Sequence, residues 1–148
     1  MSCKTVSAYV RKEYIYLISY ALTTGGVPMQ NDPVIILSIN SDPKDIGDAV
    51  LSLLSIVHEL LPHPKRNEYK LVRSPLAEAA KVKSLYEFEK ETRQCFIGVK
   101  DNQYIISPTK KVGRGFEGLG KDANIKIPVE ADSMEIGSNL LKALDMSY

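Results

Sequence analysis

The side chains in this sequence best suited to acid–base, nucleophilic or metal chemistry are two histidines and two cysteines, and their spacing argues against all three. His58 and His63 fall in no HxxxH or HExxH pattern, and no cysteine stands near either. A general base needs an orienting partner and a zinc site needs converging ligands, so neither histidine reads as catalytic or metal-binding. Cys3 and Cys95 form no CxxC pair, and no serine sits in a GxSxG elbow. Isolated thiols of this kind are expected to be reduced, which points to a cytoplasmic protein. The sequence presents no catalytic residue, no metal ligand and no cofactor motif, and an enzyme is the least favoured class.

One segment concentrates residues that could bind something: Lys110-Lys111-Val112-Gly113-Arg114-Gly115-Phe116-Glu117-Gly118-Leu119-Gly120-Lys121. Its glycines and cations could cradle phosphate, but it lacks GxxxxGK[ST] and does not lead straight from a strand into a helix. Lys110, Lys111, Arg114 and Phe116 could grip single-stranded nucleic acid, so a nucleic-acid-binding module using 110–121 is the alternative function. A net charge of +1 counts against it. The plainest expectation is a long loop with Phe116 or Leu119 tucked onto the core; the remaining one is a protein-binding loop that includes Glu117.

Something must position these residues, and composition bounds it. With 148 residues, 44% hydrophobic and 25% charged, the chain suits a single domain, 1–148, with its own core. No signal peptide is apparent. The longest apolar stretch, 49–61, is interrupted by Ser52, Ser55, His58 and Glu59, so no membrane span is expected.

Residues 13–56 align without a gap on 103–146, an offset of ninety. Glu13-Tyr14-Ile15 meets Gln103-Tyr104-Ile105, Gly25 meets Gly115, and Asp32 meets Asp122. Asp42-Pro43-Lys44-Asp45-Ile46-Gly47 meets Asp132-Ser133-Met134-Glu135-Ile136-Gly137. Each copy reads as strand, strand, strand, helix. The first hairpin is expected to turn at 11–13 and the second at Asp101-Asn102, with glycine-containing connections at 23–30 and 113–120 and third strands at 34–39 and 124–129. The fold class is therefore α/β of the α+β type, a single domain with a mixed or antiparallel sheet, two strand-strand-strand-helix units and an intervening helix.

Both unit-ending helices announce their starts. Asp42 and Asp132 suit the N-cap, with Asp45 and Glu135 at N3 and Pro43 at N1. Ile46, Ala49, Val50, Leu53, Leu54 and Val57 define one buried face, and Ile136, Leu140 and Leu144 the other. Gly47 and Gly137 each cost about 1 kcal/mol relative to alanine in a helix. Close approach of helix to sheet is the expected reason, ahead of an anion on the first-turn amides, where the acids already sit. Between the copies, the spacer 62–93 opens with an exposed loop carrying Pro62, Pro64 and the polar run 65–70. One helix follows, starting at Ser74-Pro75 with apolar residues Leu76, Ala79, Ala80, Val82, Leu85, Tyr86 and Phe88; the charges of 87–93 are its solvated side.

In the second copy, Tyr104-Ile105-Ile106-Ser107-Pro108-Thr109, Ile125-Lys126-Ile127-Pro128, Ser133-Met134-Glu135-Ile136-Gly137, then Leu140, Leu141, Ala143 and Leu144, follow one another. That succession resembles the CdiI family of contact-dependent growth inhibition immunity proteins, best over the last fifty residues and more loosely over the first sixty. The resemblance implies a cytosolic protein that binds the C-terminal toxin domain of a CdiA-type effector, commonly a nuclease, and blocks its active site. A nuclease cleft is basic, so Asp42, Asp45, Asp48, Glu130, Asp132 and Glu135 are candidate contacts, while the basic segment would suit an acidic surface. The sequence does not choose between them.

Overall fold

The computed structural model describes residues 4–69 and 72–148; Cys3 and Lys70 lie outside them. Two β-rich hairpins form the centre of the sheet. β1 (Thr5–Arg11) and β2 (Tyr14–Leu22) are joined by Lys12 and Glu13, with Lys12 at φ 56°. β4 (Thr92–Lys100) and β5 (Gln103–Val112) are joined by Asp101 and Asn102 at φ 53° and 59°. Two left-handed residues in a two-residue loop match the twist of antiparallel strands, and Asn and Asp tolerate that conformation best.

All strand pairs among the described residues are antiparallel. The order is β3 (Pro28–Ser38), β2, β1, β4, β5, and the far edge of β5 is shared by β7 (Ile125–Pro128) on 103–106 and β6 (Gly115–Gly118) on 109–112. With four helices the domain is α+β and its open sheet antiparallel. β3 starts at Pro28, earlier than 34–39, because 28–31 pair with 19–22 beyond a register shift at Ile18/Ser19.

Strand alternation sends side chains to two separate cores. On one face Val6, Ala8, Val10, Ile15, Leu17, Cys95, Ile97 and Ile106 pack beneath α1 (Pro43–Leu54) and α4 (Ser133–Met146), which contribute Ile46, Val50, Leu53, Ile136, Leu140 and Leu144. Val57, expected on the buried face of α1, lies past the helix end and is 85% exposed. On the other face Tyr9, Tyr16 and Ile18 meet Leu76 and Phe88 from α2 (Pro75–Ala80) and α3 (Leu85–Glu89). Tyr9 and Tyr16 stand edge-on to Phe88 at 5.2 and 5.0 Å, the arrangement that aromatic quadrupoles prefer.

The spacer holds two short helices where the sequence suggested one. Lys81 caps α2 in the left-handed conformation at φ 59°, and Ser84 starts α3 by accepting from the Glu87 amide. The charged run 87–93 is a solvated helix side only at its start, where Glu87 is exposed on α3; the helix ends at Glu89, β4 begins at Thr92, and Thr92 and Gln94 are buried. Gln94 is satisfied from both sides: its amide donates to Ser7 Oγ at 3.3 Å and its carbonyl accepts from Thr109 Oγ1 at 3.0 Å. A buried amide left unpaired would cost about 1–3 kcal/mol, so these polar strand positions come as a set.

The two helical glycines do mark close approach, but of helix to helix. A Cβ on Gly47 would lie 1.8 Å from the Ser133 carbonyl oxygen, and one on Gly137 would lie 1.8 Å from that of Pro43. At the offset of ninety, Gly47 corresponds to Gly137 and Pro43 to Ser133, so the two contacts are one contact made from each helix in turn. The caps read in the sequence are present: Asp42 accepts from the Lys44 amide and Asp132 from the Glu135 amide, both at 2.9 Å. Each such cap stabilises its helix by about 1 kcal/mol.

Candidate functional site

The histidines occupy the segment that leads away from α1, where Leu61 pairs with Thr23 at the end of β2. His58 Nε2 lies 2.7 Å from Ser19 Oγ, and its Nδ1 lies 3.4 Å from the Asn31 amide nitrogen. The polar order is that of a hydrolase triad, but the protons run the wrong way. Asn31 Oδ1 is taken by the Asp32 amide, so its NH2 donates to Nδ1 and the ring proton on Nε2 points at Ser19. A base that activates serine must accept there, and Ser19 is only 3% exposed. His63 Nδ1 bonds Thr23 Oγ1 at 2.8 Å and its Nε2 bonds the Tyr69 hydroxyl at 3.1 Å. Both rings pin this segment to the sheet. The Ser19–His58–Asn31 grouping draws on two strands and the segment after α1, so sequence spacing carried no signal of it.

Residues 110–121 are mostly a hairpin rather than a long loop. Lys110, Lys111 and Val112 extend β5, and Lys110 pairs with Glu117, Lys111 with Phe116 and Val112 with Gly115. Alternation turns Lys111 and Phe116 toward α3. Phe116 is half-buried and stands edge-on to Tyr9 at 5.9 Å, so it joins the second core as expected. Arg114 lies over the Tyr86 ring at 4.7 Å, and Lys111 donates to the Lys90 carbonyl at 2.8 Å. Between the hairpin and α3 is a cavity of about 90 Å³ lined by Tyr86, Glu89, Lys90, Lys111, Arg114 and Phe116, with Gly113 and Gly115. Burial pushes the Glu89 carboxyl above the ordinary range, opposed by the Tyr9 hydroxyl and the charge of Lys111. Tyr9 in turn accepts from Gln30 at 2.8 Å.

The acids fall on the other face of the sheet. The crossing of α1 and α4 gathers Asp42, Asp45, Asp48, Asp132 and Glu135, all exposed, with Lys44 as the one cation of those two first turns. Three of the five are already bonded: Asp42 and Asp132 cap their helices, and Asp48 accepts from Ser133 and pairs with Lys44 at 3.0 Å. The Ser133 hydroxyl, and then Lys44, hold the Asp48 carboxyl below its ordinary range. Glu130, in the turn before the α4 cap, is exposed. Among the described residues no group of three His, Cys, Asp or Glu side chains is placed to hold a metal ion, and no helix is long and apolar enough to cross a membrane.

The geometry is thus an antiparallel sheet with helices on both faces, two surface candidates on it and a histidine pair bonded into the scaffold. The comparisons identify its family. The model of the CdiI family, described as CDI immunity protein, matches residues 4–147, wider than the last fifty and first sixty residues that first suggested it. Among solved structures, a protein of unknown function, NMB0488 from Neisseria meningitidis, superposes with a TM-score of 0.74 at 15% identity, covering 98% of this chain and 95% of that one. A CdiA-CT/CdiI toxin and immunity complex from Yersinia pseudotuberculosis gives 0.73 at 18% identity, with 98% and 97% covered. At these identities the two structures establish a shared fold. Among curated protein sequences none matches. The chain belongs to the CdiI family of contact-dependent growth inhibition immunity proteins.

Proposed function

We propose that this immunity protein acts in the cytoplasm, without catalysis, by binding the C-terminal toxin domain of its own CdiA-type effector, and that this toxin is a nuclease. The observation that carries the reading is the family match along 4–147, supported by the fold shared with the chain of a toxin–immunity complex. Two surfaces are available for the contact. The acids Asp42, Asp45, Asp48, Glu130, Asp132 and Glu135 offer a negative field to a basic nuclease cleft. The hairpin residues Lys110, Lys111, Arg114, Phe116 and Glu117 offer cations and an aromatic. The part of the hairpin that faces α3, Lys111 and Phe116 with Arg114, lies on the sheet face opposite the acids, so a single toxin domain of ordinary interface size, roughly 800 Å² per partner, covers one or the other. The nucleic-acid alternative loses support from the geometry, because Phe116 is turned toward Tyr9 and away from any base.

Co-expression with the C-terminal domain of the CdiA-type effector encoded beside this chain provides the test. Growth is expected to be restored by this chain and not by an unrelated immunity protein. No rescue, with both proteins soluble and present, would sink the reading. Degradation of cellular RNA or DNA in unprotected cells decides the nuclease claim.

A further inference from the structure

An interface draws most of its affinity from a few desolvated anchors, with tyrosine and arginine prominent among them and charged residues depleted at its centre. The acid surface offers charge without an anchor, and three of its five gathered carboxylates already have partners. The hairpin is built differently. Its cavity of about 90 Å³ is the size of one aliphatic side chain and far below the ~300–1,000 Å³ of small-molecule sites. Tyr86 and Phe116 supply apolar wall, and Lys90, Lys111 and Arg114 stand around the mouth. The one carboxylate present, Glu89, is turned to the Tyr9 hydroxyl, so the rim is positive. Two of its cations are already held in place, Arg114 on Tyr86 and Lys111 on the Lys90 carbonyl, which lowers the ordering cost of binding.

Resting on the toxin-binding reading above, we infer that this pocket between α3 and the β5–β6 hairpin is the anchor site for the toxin domain and takes one apolar side chain flanked by carboxylates. The apolar walls hold the side chain, and the rim cations pair with the flanking acids. Nucleic acid fits the site less well: its phosphates could meet the cations, but Arg114 covers one face of Tyr86 and Phe116 faces the core, leaving the bases no aromatic platform.

The experiment measures the affinity of the purified chain for the C-terminal domain of the neighbouring CdiA-type effector. Tyr86→Ala removes an apolar wall of the pocket at a position that is 45% exposed and outside the second core, so the fold is expected to be kept. Arg114→Glu reverses the rim at an exposed position and serves if Tyr86→Ala disturbs α3. Lys126→Glu, at an exposed position of β7 outside both candidate surfaces, is the control. Each pocket variant is expected to weaken binding by about tenfold or more, with an unchanged melting temperature and the control within about threefold of the parent. Parent-like affinity in both folded pocket variants would overturn the anchor and leave the toxin-binding reading standing. So would loss of binding confined to the reversal of Asp45 and Glu135, in a variant whose melting temperature matches the parent's. Failure of the parent chain to bind the domain would overturn both. Tight binding of a labelled single-stranded RNA that Tyr86→Ala abolishes would assign the pocket to nucleic acid and overturn the anchor.

Discussion

Alanine at Gly47 is expected to destabilise this protein, against the helix preference of the residue. In an open helix the change would stabilise by about 1 kcal/mol. Here the new methyl would lie 1.8 Å from the Ser133 carbonyl oxygen, where ordinary contact begins at 3.4 Å. α1 and α4 would have to separate by roughly 1.6 Å at their crossing, and the obstacle is backbone, which cannot rotate aside. Overpacking of a well-filled core costs about 1–3 kcal/mol, and the loosened contacts of Ile46, Val50, Ile136 and Leu140 place this case at the upper end. With the propensity gain subtracted, the net loss is about 2 kcal/mol, or roughly 5 °C in a domain of this size. Urea unfolding followed by circular dichroism reads it directly. Gly137→Ala should cost a similar amount, and the double variant less than the sum, because helices already parted for one methyl leave room for the other. If Gly47→Ala is neutral or stabilising, the helices do not approach as described and the reasoning fails.

Glu89 sets a pH dependence. Its carboxyl is raised in the folded state, so the stability it contributes is fully present below its unfolded value near pH 4.3 and is lost as pH rises through the folded value. Glu89→Gln keeps an acceptor for Tyr9, so its urea midpoint should exceed the parent's at pH 7 and converge with it at about pH 4; a gap that widens on acidification would contradict this sign. Cys95 is fully buried, and burial pushes its thiol well above the ordinary range. In a Cys3→Ser background, Ellman's reagent should therefore label no thiol in the native protein and one in denaturant, and fast native labelling would count against the described core.

Helix starts and hairpin turns were legible because their chemistry is local. Asp42 and Asp132 cap the helices that their spacing announced, and Asp101-Asn102 turns where a left-handed pair was needed. What escaped depends on distant partners. Gly47 and Gly137 were read as close approach, but the element approached could not be named from one chain position. Thr92, within the run 87–93 read as solvated, is buried at the start of β4, and the partners that satisfy its neighbour Gln94, Ser7 and Thr109, come from other strands. The helix break at Lys81 was invisible because lysine gives no hint of the left-handed conformation it adopts. The hairpin at 115–118 hid among glycines that usually mean loop, and only the far edge of β5 gives it a strand to pair with. For the candidate site, the segment 110–121 was found by composition alone, whereas Tyr86, Glu89 and Lys90, the opposite wall of its pocket, read as parts of a longer helix.

The crossing of α1 and α4 presses two helix N-termini together, each carrying about half a positive charge from its aligned peptide dipoles. Uncompensated, the two ends would repel across this close helix contact. Asp42, Asp45, Asp48, Asp132 and Glu135 surround that contact and neutralise it. The negative surface is thus a requirement of the helix geometry whether or not a partner ever meets it. Charge reversal there perturbs folding first, so a loss of protection on substituting these acids is informative about the toxin only when the variant's stability has been restored to the parent's.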